Sequence, residues 1–291
     1  MAEIRIDESL CKRDGLCAVT CVQGIFQQEE KGTVPEIIGA ESCFLCGQCV
    51  AICPHDAIVH GDFPEGSVGA VKPEHESTYE QVLQLVRSRR SKRAFKDMPV
   101  ERVDIEKIIE AARFAPSGHN AQGTHFVVVQ DPERIREIGR LTADGLRKMV
   151  KPFRSPIARI FARRAVGKRM FDMIVRFAPE LEHLARLYDE GSDVLLYNAP
   201  ALLLFHADEV GVSSGTDANL ALQNASLAAE TVGLGCFYTG FVVSTCERDD
   251  SIAKFLSLPE HHKIYAGLAL GYPKLTFRKW PERKPARVTW L

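Results

Sequence analysis

The sequence predicts an α+β chain made of two parts with different chemistry. Seven of its nine cysteines lie within the first 53 residues. From Thr78 onward, apolar residues recur with helical spacing, and short apolar runs typical of buried strands also occur. A stretch rich in Gly, Pro and charge at 61–76 is typical of a linker. We therefore expect an N-terminal domain with its linker at 1–76 and a C-terminal domain at 77–291.

The elements of the C-terminal part follow from their apolar patterns. The segments 79–91 and 103–115 place apolar residues on one helical face and predict two helices. The mostly apolar segment 217–235 predicts a longer helix ended by glycine. Three apolar runs predict buried strands: HFVVVQD at 125–131, ALLLFHA at 201–207 and IYAGLALGY at 264–272. This mixture of helices and strands indicates the α+β class.

Composition and charge exclude several classes of protein. The net charge is −1 at pH 7, and no nucleic-acid-binding motif is present, so no polyelectrolyte partner is expected. The acidic N-terminus does not have the hydrophobic region of a secretory signal. The longest mostly apolar stretch, 194–205, is too short to span a bilayer. We expect a cytoplasmic protein, in which clustered cysteines favour metal ligation over disulfides.

The cysteine spacing of the N-terminal part indicates iron–sulfur clusters. A run with the spacing C-x2-C-x2-C-x3-C-P is formed by Cys43, Cys46, Cys49 and Cys53. A cubane cluster offers four irons, and closely spaced cysteines reach three of them, so the fourth ligand comes from elsewhere. Zinc sites use pairs of cysteines rather than such a run. A second set is formed by Cys11, Asp14, Cys17 and Cys21. Each of its members lies the same number of residues before the corresponding member of the first set.

With this repeat, residues 4–60 resemble a bacterial ferredoxin that carries two [4Fe–4S] clusters. The resemblance implies one cluster held by Cys21, Cys43, Cys46 and Cys49. It implies a second cluster held by Cys11, Cys17 and Cys53, with position 14 as the remaining ligand. That position holds Asp14 instead of cysteine, and a carboxylate is a harder ligand than a thiolate. Three interpretations stay open: Asp14 binds the fourth iron, water or hydroxide binds it, or the site holds [3Fe–4S].

Three segments of the C-terminal part occur in a fixed order: RRSKRAF at 89–95, APSGHNAQ at 115–122 and GLGCFYTG at 233–240. A GYP motif at 271–273 and a basic tail follow. In this order, over about 200 residues, they resemble the FMN-dependent nitroreductase family. The glycines at 233 and 235 follow a predicted helix and lack a third glycine, so they are not a Rossmann fingerprint.

The resemblance implies a set of FMN-binding residues. The phosphate-binding residues would be Arg89, Arg90, Ser91, Arg93 and the C-terminal pair Arg283 and Lys284, since arginine binds phosphate through paired hydrogen bonds. The residues near the isoalloxazine ring would be Pro116, Ser117, Asn120, Tyr238, Thr239 and Gly240, the last three providing backbone N–H groups near N5. The alternative for 89–93 is a solvated basic helix end. No catalytic side chain is assigned.

The family resemblance implies a homodimer with FMN at the subunit interface. It implies an oxidoreductase that reduces a nitroaromatic, a quinone or an activated alkene. The two clusters would deliver single electrons to FMN, with a ferredoxin as a candidate donor protein. Two alternatives stay open: NAD(P)H reduces FMN directly and the clusters are accessory, or the chain is an electron-transfer subunit without its own organic substrate. A third is that FMN is a substrate, as for some relatives.

A basic segment at 145–176 lies within a predicted lid at 145–190. It holds ten Lys/Arg and one acidic residue, whereas residues 1–76 hold 5 Lys/Arg and 13 Asp/Glu. The pattern predicts amphipathic helices broken at Pro152 and Pro156. Four interpretations stay open for this charge: a solvated lid surface, docking of the acidic N-terminal domain, binding of an anionic substrate or acidic donor, and attachment to a membrane surface.

Overall fold

The computed structural model describes residues 3–153, 160–161, 163–164 and 167–291. The chain divides into two compact units. Unit 1 consists of Met1–Ser77 and Gly118–Ala121, and unit 2 consists of Thr78–Ser117 and Gln122–Leu291. The loop 118–121, which the sequence assigned to the C-terminal domain, thus belongs by its contacts to the cysteine-rich unit.

Unit 1 is built from short elements around a small core. Its elements are β1 (Ile4–Ile6), α1 (Leu16–Thr20), β2 (Phe26–Gln27), β3 (Glu36–Ile37), α2 (Gln48–Ile52) and β4 (Ile58–His60). Strand β1 pairs antiparallel with β4, and β2 pairs antiparallel with β3. The buried members of its apolar core cluster are two cysteines and three apolar residues: Cys17, Ile25, Phe26, Cys49 and Ile58. The packing of this small core therefore depends on cysteines as well as on apolar residues.

The sequence repeat of unit 1 is also a structural repeat. Helices α1 and α2 have five residues each, and their first residues are related by the same offset as the two cysteine runs. Each helix follows a glycine in the left-handed region, Gly15 at φ 75° and Gly47 at φ 70°. Glycine adopts this conformation at little cost, so the chain turns sharply from the cysteine loop into the helix. The turn leaves Cys17 and Cys49 in equivalent, buried positions at the helix starts.

Unit 2 contains a four-stranded antiparallel sheet with the order β5-β6-β8-β7. Its elements are α3 (Tyr79–Ser88), α4 (Arg102–Arg113), β5 (His125–Val129), α5 (Pro132–Val150), α6 (Lys168–Asp189), β6 (Ala201–Asp208), α7 (Ser214–Thr231), β7 (Gly235–Tyr238), α8 (Gly240–Cys246), α9 (Ser251–Phe255) and β8 (His262–Gly271). The predicted strands and helices of this part are confirmed, as is the α+β class.

Helices cover both faces of the sheet in unit 2. Along the central strand β6, Leu202 and Leu204 pack into a core with residues of α5, α6, α8 and α9. The alternate residues Leu203 and Phe205 pack into a second core with residues of α4 and α7. Side chains of a strand point alternately to its two faces, so a strand covered on both faces must be apolar throughout. This explains the continuous apolar run at 201–207.

Local signals set where the helices begin. The hydroxyl of Thr78 accepts a hydrogen bond from Gln81 N, and the Gln81 side chain accepts one from Thr78 N, which forms a capping box at the start of α3. The carboxylate of Asp131 accepts from the backbone N–H groups of Glu133 and Arg134 at the start of α5. These bonds satisfy N–H groups that have no partner within the helix.

Two boundaries differ from the sequence expectation for the same reason. The first predicted helix ends at Ser88 rather than residue 91, and the glycine-ended helix stops at Thr231. Ser91 instead forms a β-bridge to Cys236, and the N–H of Lys92 donates to the Cys236 carbonyl at 3.0 Å. Strand β7, which is not among the strands expected from the sequence, thus pairs with β8 on one side and with 91–92 on the other.

The basic segment is described only in part. Helix α5 extends to Val150 and is followed by a 3₁₀ turn at Lys151–Phe153, which agrees with a break at Pro152. Pro156 lies outside the described residues, and so do two of the ten basic residues on which the four interpretations depend, Arg154 and Arg159. Nowhere in the described ranges is a helix long and apolar enough to cross a membrane.

Candidate functional site

The metal-ligand candidates of unit 1 line two separate internal spaces. One space is lined by Cys21, Cys43, Cys46 and Cys49, together with Ile25, Phe26 and His60. The other is lined by Cys11, Asp14, Cys17 and Cys53, together with Pro35 and Ile58. These are the same two sets of four that the ferredoxin resemblance implied. In each set one member comes from the other half of the repeat, Cys21 in the first and Cys53 in the second.

Burial makes these sulfurs poor sites for an unpartnered negative charge. Burial, with a smaller effect of the nearby Cys46 and Cys43, raises the pKa of the Cys49 thiol to about 11. Burial also raises the pKa of Cys17, and Cys11 and Cys53 add to the effect. A thiolate at either position therefore needs positive charge nearby, which the irons of a cluster supply. The donor chemistry and its enclosure fit an iron–sulfur cluster.

Backbone groups are already directed at three of the sulfurs. The N–H groups of Arg13, Leu45 and Ala57 each lie 3.4 Å from a sulfur, those of Cys11, Cys43 and Cys53 respectively. Arg13 and Leu45 hold left-handed backbone conformations, at φ 60° and 51°, which are uncommon for residues other than glycine. The loops therefore accept backbone strain at the equivalent place in both halves, where they wrap around the cysteine sulfur.

Asp14 lies in the position of the missing cysteine and faces the second space. Its Oδ1 accepts a hydrogen bond from Leu16 N at 3.1 Å. A carboxylate has about four acceptor positions, so this bond does not prevent Asp14 from binding iron as well. Across the described part of the chain, no three His, Cys, Asp or Glu side chains converge on a single ion. A cluster presents several irons, so its ligands do not need to converge on one point.

In unit 2, two of the three predicted FMN segments meet in one cavity. The cavity has a volume of about 360 Å³ and is lined by Arg93, Tyr238, Thr239 and Gly240, and also by Tyr197, Phe237, Phe241 and Ser244. The pairing of 91–92 with Cys236 brings these segments together. Arg93 stacks over Phe237 at 5.2 Å and Tyr197 at 5.6 Å. A cation held over aromatic rings forms one wall of the cavity, and four of its ten lining residues are aromatic.

Thr239 carries an unsatisfied polar atom beside this cavity. Its Oγ1 is buried, and no group in the described structure hydrogen-bonds to it. A buried hydroxyl without a partner costs about 1–3 kcal/mol, so it marks a place where a polar ligand atom fits. The N–H of Thr239 donates to the Gly267 carbonyl at 2.9 Å and is therefore already used. Of the three residues expected to face flavin N5 through backbone N–H groups, this leaves Tyr238 and Gly240.

The loop at 116–120 is divided between the two units. Pro116 and Ser117 line a different cavity of about 170 Å³ in unit 2, with Arg113 and Asp217 in its wall. Ser117 Oγ accepts a hydrogen bond from Gln122 N at 3.0 Å. Asn120 belongs to unit 1, where its Nδ2 donates to the Leu45 carbonyl at 2.8 Å. Within one chain, Pro116 and Ser117 therefore do not line the cavity of Arg93 and Thr239.

The remaining phosphate candidates lie at the start of residues 89–93, called the basic strip below, and in the C-terminal tail. The Arg90 guanidinium lies 5.8 Å from the Phe277 ring, and the neighbouring Arg87 lies 4.1 Å from Trp280. The tail thus passes over the end of α3. Arg283 and Lys284 are exposed farther along this tail, and no described contact joins them to residues 89–93. Arg89 is half-buried, and Ser91 is exposed.

Two features of the site were not predicted from the sequence. Lys92 lies within the basic strip but forms a largely buried ion pair with Glu230 on α7, with Nζ 2.6 Å from Oε2. Tyr197 lines the cavity from a loop where Tyr197 and Asn198 both have positive φ, 57° and 50°. The sequence held one weak indication of the ion pair between Lys92 and Glu230. Lys92 is a lysine among arginines, and lysine is less suited than arginine to bind a phosphate through two hydrogen bonds.

The cysteines outside unit 1 are buried and unreactive. Burial raises the pKa of Cys236 to about 11 and that of Cys246 to about 12. A high pKa keeps these thiols protonated near neutral pH, and the thiolate is the reactive form. A separate open cavity of about 560 Å³ is lined by Cys246 and by mostly charged residues of 247–250 and 261–263. It contains none of the predicted FMN residues.

Comparison with known proteins assigns unit 2 to a family. The model of the nitroreductase family matches residues 86–272, well over half of the chain. The chain belongs to the nitroreductase family. It is therefore a flavin-dependent oxidoreductase. A second model, for a 4Fe-4S binding domain, matches residues 36–59, which contain the run from Cys43 to Cys53. That match does not include the first run at 11–21.

Individual relatives agree with this assignment. A nitrobenzene nitroreductase from Ectopseudomonas oleovorans is 29% identical over 195 residues, which cover 65% of this chain and 85% of that protein. An FMN reductase (NADPH) from Bacillus subtilis is 26% identical over 208 residues, which cover 72% of each. A crystal structure of a nitroreductase with bound FMN from Bacteroides fragilis has a TM-score of 0.56 and 24% identity, covering 72% of this chain and 98% of that one. This similarity establishes the fold.

Proposed function

We propose that the chain is an FMN-dependent oxidoreductase whose electrons arrive through two iron–sulfur clusters. The observation that carries the proposal is the grouping of the eight predicted ligands into two sets of four, each lining its own space. An accessory cluster domain with a single site would not need the second set. Membership of the nitroreductase family supplies the flavin half of the proposal.

The cavity around Arg93 fits a flavin. Aromatic side chains suit a flat ring, and the unsatisfied Thr239 hydroxyl offers a hydrogen bond to a polar edge. Arg89, Arg90, Ser91 and Arg93 would hold the phosphate, because guanidinium groups bind phosphate oxygens in pairs. The solved relative from Bacteroides fragilis contains bound FMN, which supports the same cofactor here. Arg283 and Lys284 remain candidates for the phosphate from the C-terminal tail.

We also propose a homodimer, because a single chain separates the predicted FMN residues. Pro116 and Ser117 line one cavity, and Arg93 and Thr239 line another. A second copy of the chain would supply the missing half to each site. Asn120, whose side-chain amide is bonded to Leu45, stays a candidate through its remaining donor and its oxygen.

Bound FMN would accept single electrons and transfer two to a substrate, and the chain's residues bind and orient both partners. Tyr197 and Phe241, which are partly exposed at the cavity, would stack against a flat substrate. Burial of the Tyr238 hydroxyl raises its pKa, so this phenol stays protonated and is a candidate proton donor. The substrate class we favour is nitroaromatic, quinone or activated alkene, and the nitrobenzene nitroreductase relative supports the first.

A second candidate function has its own support. The relative from Bacillus subtilis is described as an FMN reductase (NADPH), which favours direct reduction of the flavin by a nicotinamide. The clusters would then be accessory or an exit for electrons. If the chain were instead an electron-transfer subunit, it would turn over little with a nitroaromatic when supplied only with an artificial donor.

The deciding experiment compares electron donors under anaerobic conditions. The protein is purified without oxygen, its visible spectrum is recorded, and NADH, NADPH and a reduced low-potential ferredoxin are added to separate samples. We expect only the ferredoxin to bleach both the flavin and the cluster bands rapidly. Rapid and complete bleaching of the flavin by either nicotinamide would contradict the cluster-fed route and support the second candidate.

A further inference from the structure

His60 is a buried polar residue beside one set of cluster ligands. It ends strand β4, and only 2% of its surface is exposed. Its Nε2 lies 3.6 Å from the Sγ of Cys43, and it lines the space that the four cysteines of that set enclose. It is not one of the predicted ligands, so its position requires another explanation.

The surrounding contacts fix which nitrogen of His60 carries the proton. The backbone N–H of Asp62 donates to Nδ1 at 3.2 Å, whereas the Asp62 carboxylate lies farther away, at 3.7 Å. Because Nδ1 accepts a hydrogen bond, the proton of the neutral ring is on Nε2. The N–H group of Nε2 is therefore the one that faces the Cys43 sulfur.

Packing holds the ring in this orientation. The Phe63 ring meets the His60 ring edge to face, with centroids 4.9 Å apart. Phe63 in turn packs on Gly47 in the cysteine loop, where an added Cβ would lie 3.0 Å from Phe63 Cζ. The donor is thus placed by the same loop that carries the ligands, and its direction does not depend on an exposed side chain.

The internal repeat gives Cys11 no side-chain counterpart of this donor, although the other set has a further backbone donor, Ala57 N, 3.4 Å from Cys53 Sγ. The offset that relates Cys43 to Cys11 also relates His60 to Gln28. Both cysteine sulfurs receive one backbone N–H at 3.4 Å. Gln28 Nε2 instead donates to the carbonyls of Arg13, at 3.1 Å, and Thr33, at 2.7 Å. Both hydrogens of Gln28 Nε2 are therefore bound to backbone oxygens. Of Cys11 and Cys43, only Cys43 has a side-chain donor near its sulfur in the described structure.

We propose that His60 donates a hydrogen bond to the Cys43 thiolate and thereby raises the reduction potential of the cluster held by that set. The inference rests on the two-cluster function proposed above. Reduction adds one electron from an external donor to the cluster and moves no proton. A hydrogen-bond donor at sulfur stabilises the more negative, reduced state, which is one of the established controls of cluster potential.

The test measures the potentials of both clusters in the complete protein. Anaerobic redox titration followed by electron paramagnetic resonance is applied to the wild type, His60→Leu and His60→Gln. We expect His60→Leu to shift the reduced-to-oxidised ratio of one cluster about tenfold toward oxidised, about 59 mV for one electron, and to leave the other unchanged. His60→Gln retains an N–H donor and restores part of the shift. His55→Leu is the matched control, since His55 lines the other space and is exposed.

Several outcomes overturn the inference, and they are distinct from failure of the proposed function. No shift in His60→Leu, or equal shifts of both clusters, would show that the hydrogen bond does not control the potential of the cluster beside His60. If His60→Leu does not assemble its cluster, pulsed electron paramagnetic resonance of the wild type with ¹⁵N-labelled histidine replaces it. A weak nitrogen coupling to the reduced cluster is expected, and its absence contradicts the proposal. Iron and sulfide contents that account for one cluster only would instead overturn the two-cluster function.

Discussion

The ion pair between Lys92 and Glu230 is expected to stabilise the fold of unit 2 beside the candidate FMN-binding residues. Lys92 lies in the middle of the basic strip, and its side chain is 14% exposed, while that of Glu230 is 10% exposed. Glu230 Oε1 is buried, and none of the described residues hydrogen-bonds to it. Lys92→Met keeps the stem of the side chain that packs beside Gly235 but leaves the carboxylate without its cation.

The magnitude follows from burial. Breaking a buried ion pair by removing one partner costs about 3–5 kcal/mol, because the other charge stays buried without compensation. The slight exposure of this pair places the expected loss near the lower end, at about 3 kcal/mol. For a domain of this size, each kcal/mol lowers Tm by about 2–4 °C, so Lys92→Met is expected to melt about 6–12 °C below the wild type.

The assay is thermal unfolding of the anaerobically purified protein, followed by far-ultraviolet circular dichroism. Lys92→Met combined with Glu230→Leu removes both charges and is expected to recover most of the loss. Lys254→Met is the matched control, because its pair with Asp250 is 75% and 69% exposed and should change stability by about 0.5 kcal/mol or less. The reasoning is refuted if Lys92→Met melts like the control, or if the double variant is as unstable as the single one.

Three further predictions concern unit 2. Thr239→Val removes an unpartnered hydroxyl, so FMN affinity measured by fluorescence titration should fall about fivefold to tenfold. The melting temperature of the FMN-free protein should not fall. Unchanged affinity would exclude a Thr239 contact to the flavin. Burial, with a smaller effect of His262, lowers the pKa of His206 to about 4. Below about pH 6.5 this histidine is protonated in the unfolded chain but not in the folded one, so it destabilises the fold by at most about 3 kcal/mol as pH falls toward 4. In urea unfolding, the stability of His206→Phe should therefore fall less steeply with decreasing pH than that of the wild type, and an identical pH dependence would contradict this. Gly145→Ala would place a Cβ 2.9 Å from the Cβ of Thr245 and closer still to the Thr245 methyl group. The free energy of unfolding in urea should therefore fall by about 1–3 kcal/mol despite the helix propensity of alanine. A more stable variant would show that α5 and α8 can separate freely.

The grouping of the eight candidate ligands could be predicted in part from the sequence because it depends on short-range spacing. A repeat at a constant offset and a ferredoxin-type run specify which cysteines share a loop. The exchange of Cys21 and Cys53 between the halves came from family resemblance, and the structure groups the side chains in the same way. The hydrogen bond from His60 could not be predicted, because it depends on the antiparallel pairing of β4 with β1 and on the packing of Phe63.

The flavin site was predictable only in part, because its residues lie far apart in sequence. The ordered segments predicted Arg93 and Thr239, and the structure brings both to one cavity. The sequence did not reveal that residues 91–92 pair with Cys236, since that bridge needs a glycine-rich segment to become a strand. It also did not reveal that Lys92 is bound to Glu230, 138 residues away. Such contacts are decided by tertiary packing rather than by local pattern.

The central claim is that the clusters carry electrons to the flavin, and rapid mixing tests it directly. Anaerobic wild type and Cys49→Ser are each mixed with a reduced low-potential ferredoxin, and the flavin absorbance is followed. The account predicts that flavin reduction slows at least about a hundredfold in Cys49→Ser, while oxidation of photoreduced flavin by a nitroaromatic keeps its wild-type rate. Flavin reduction by ferredoxin at the wild-type rate in Cys49→Ser, with its cluster shown to be lost, would contradict the account.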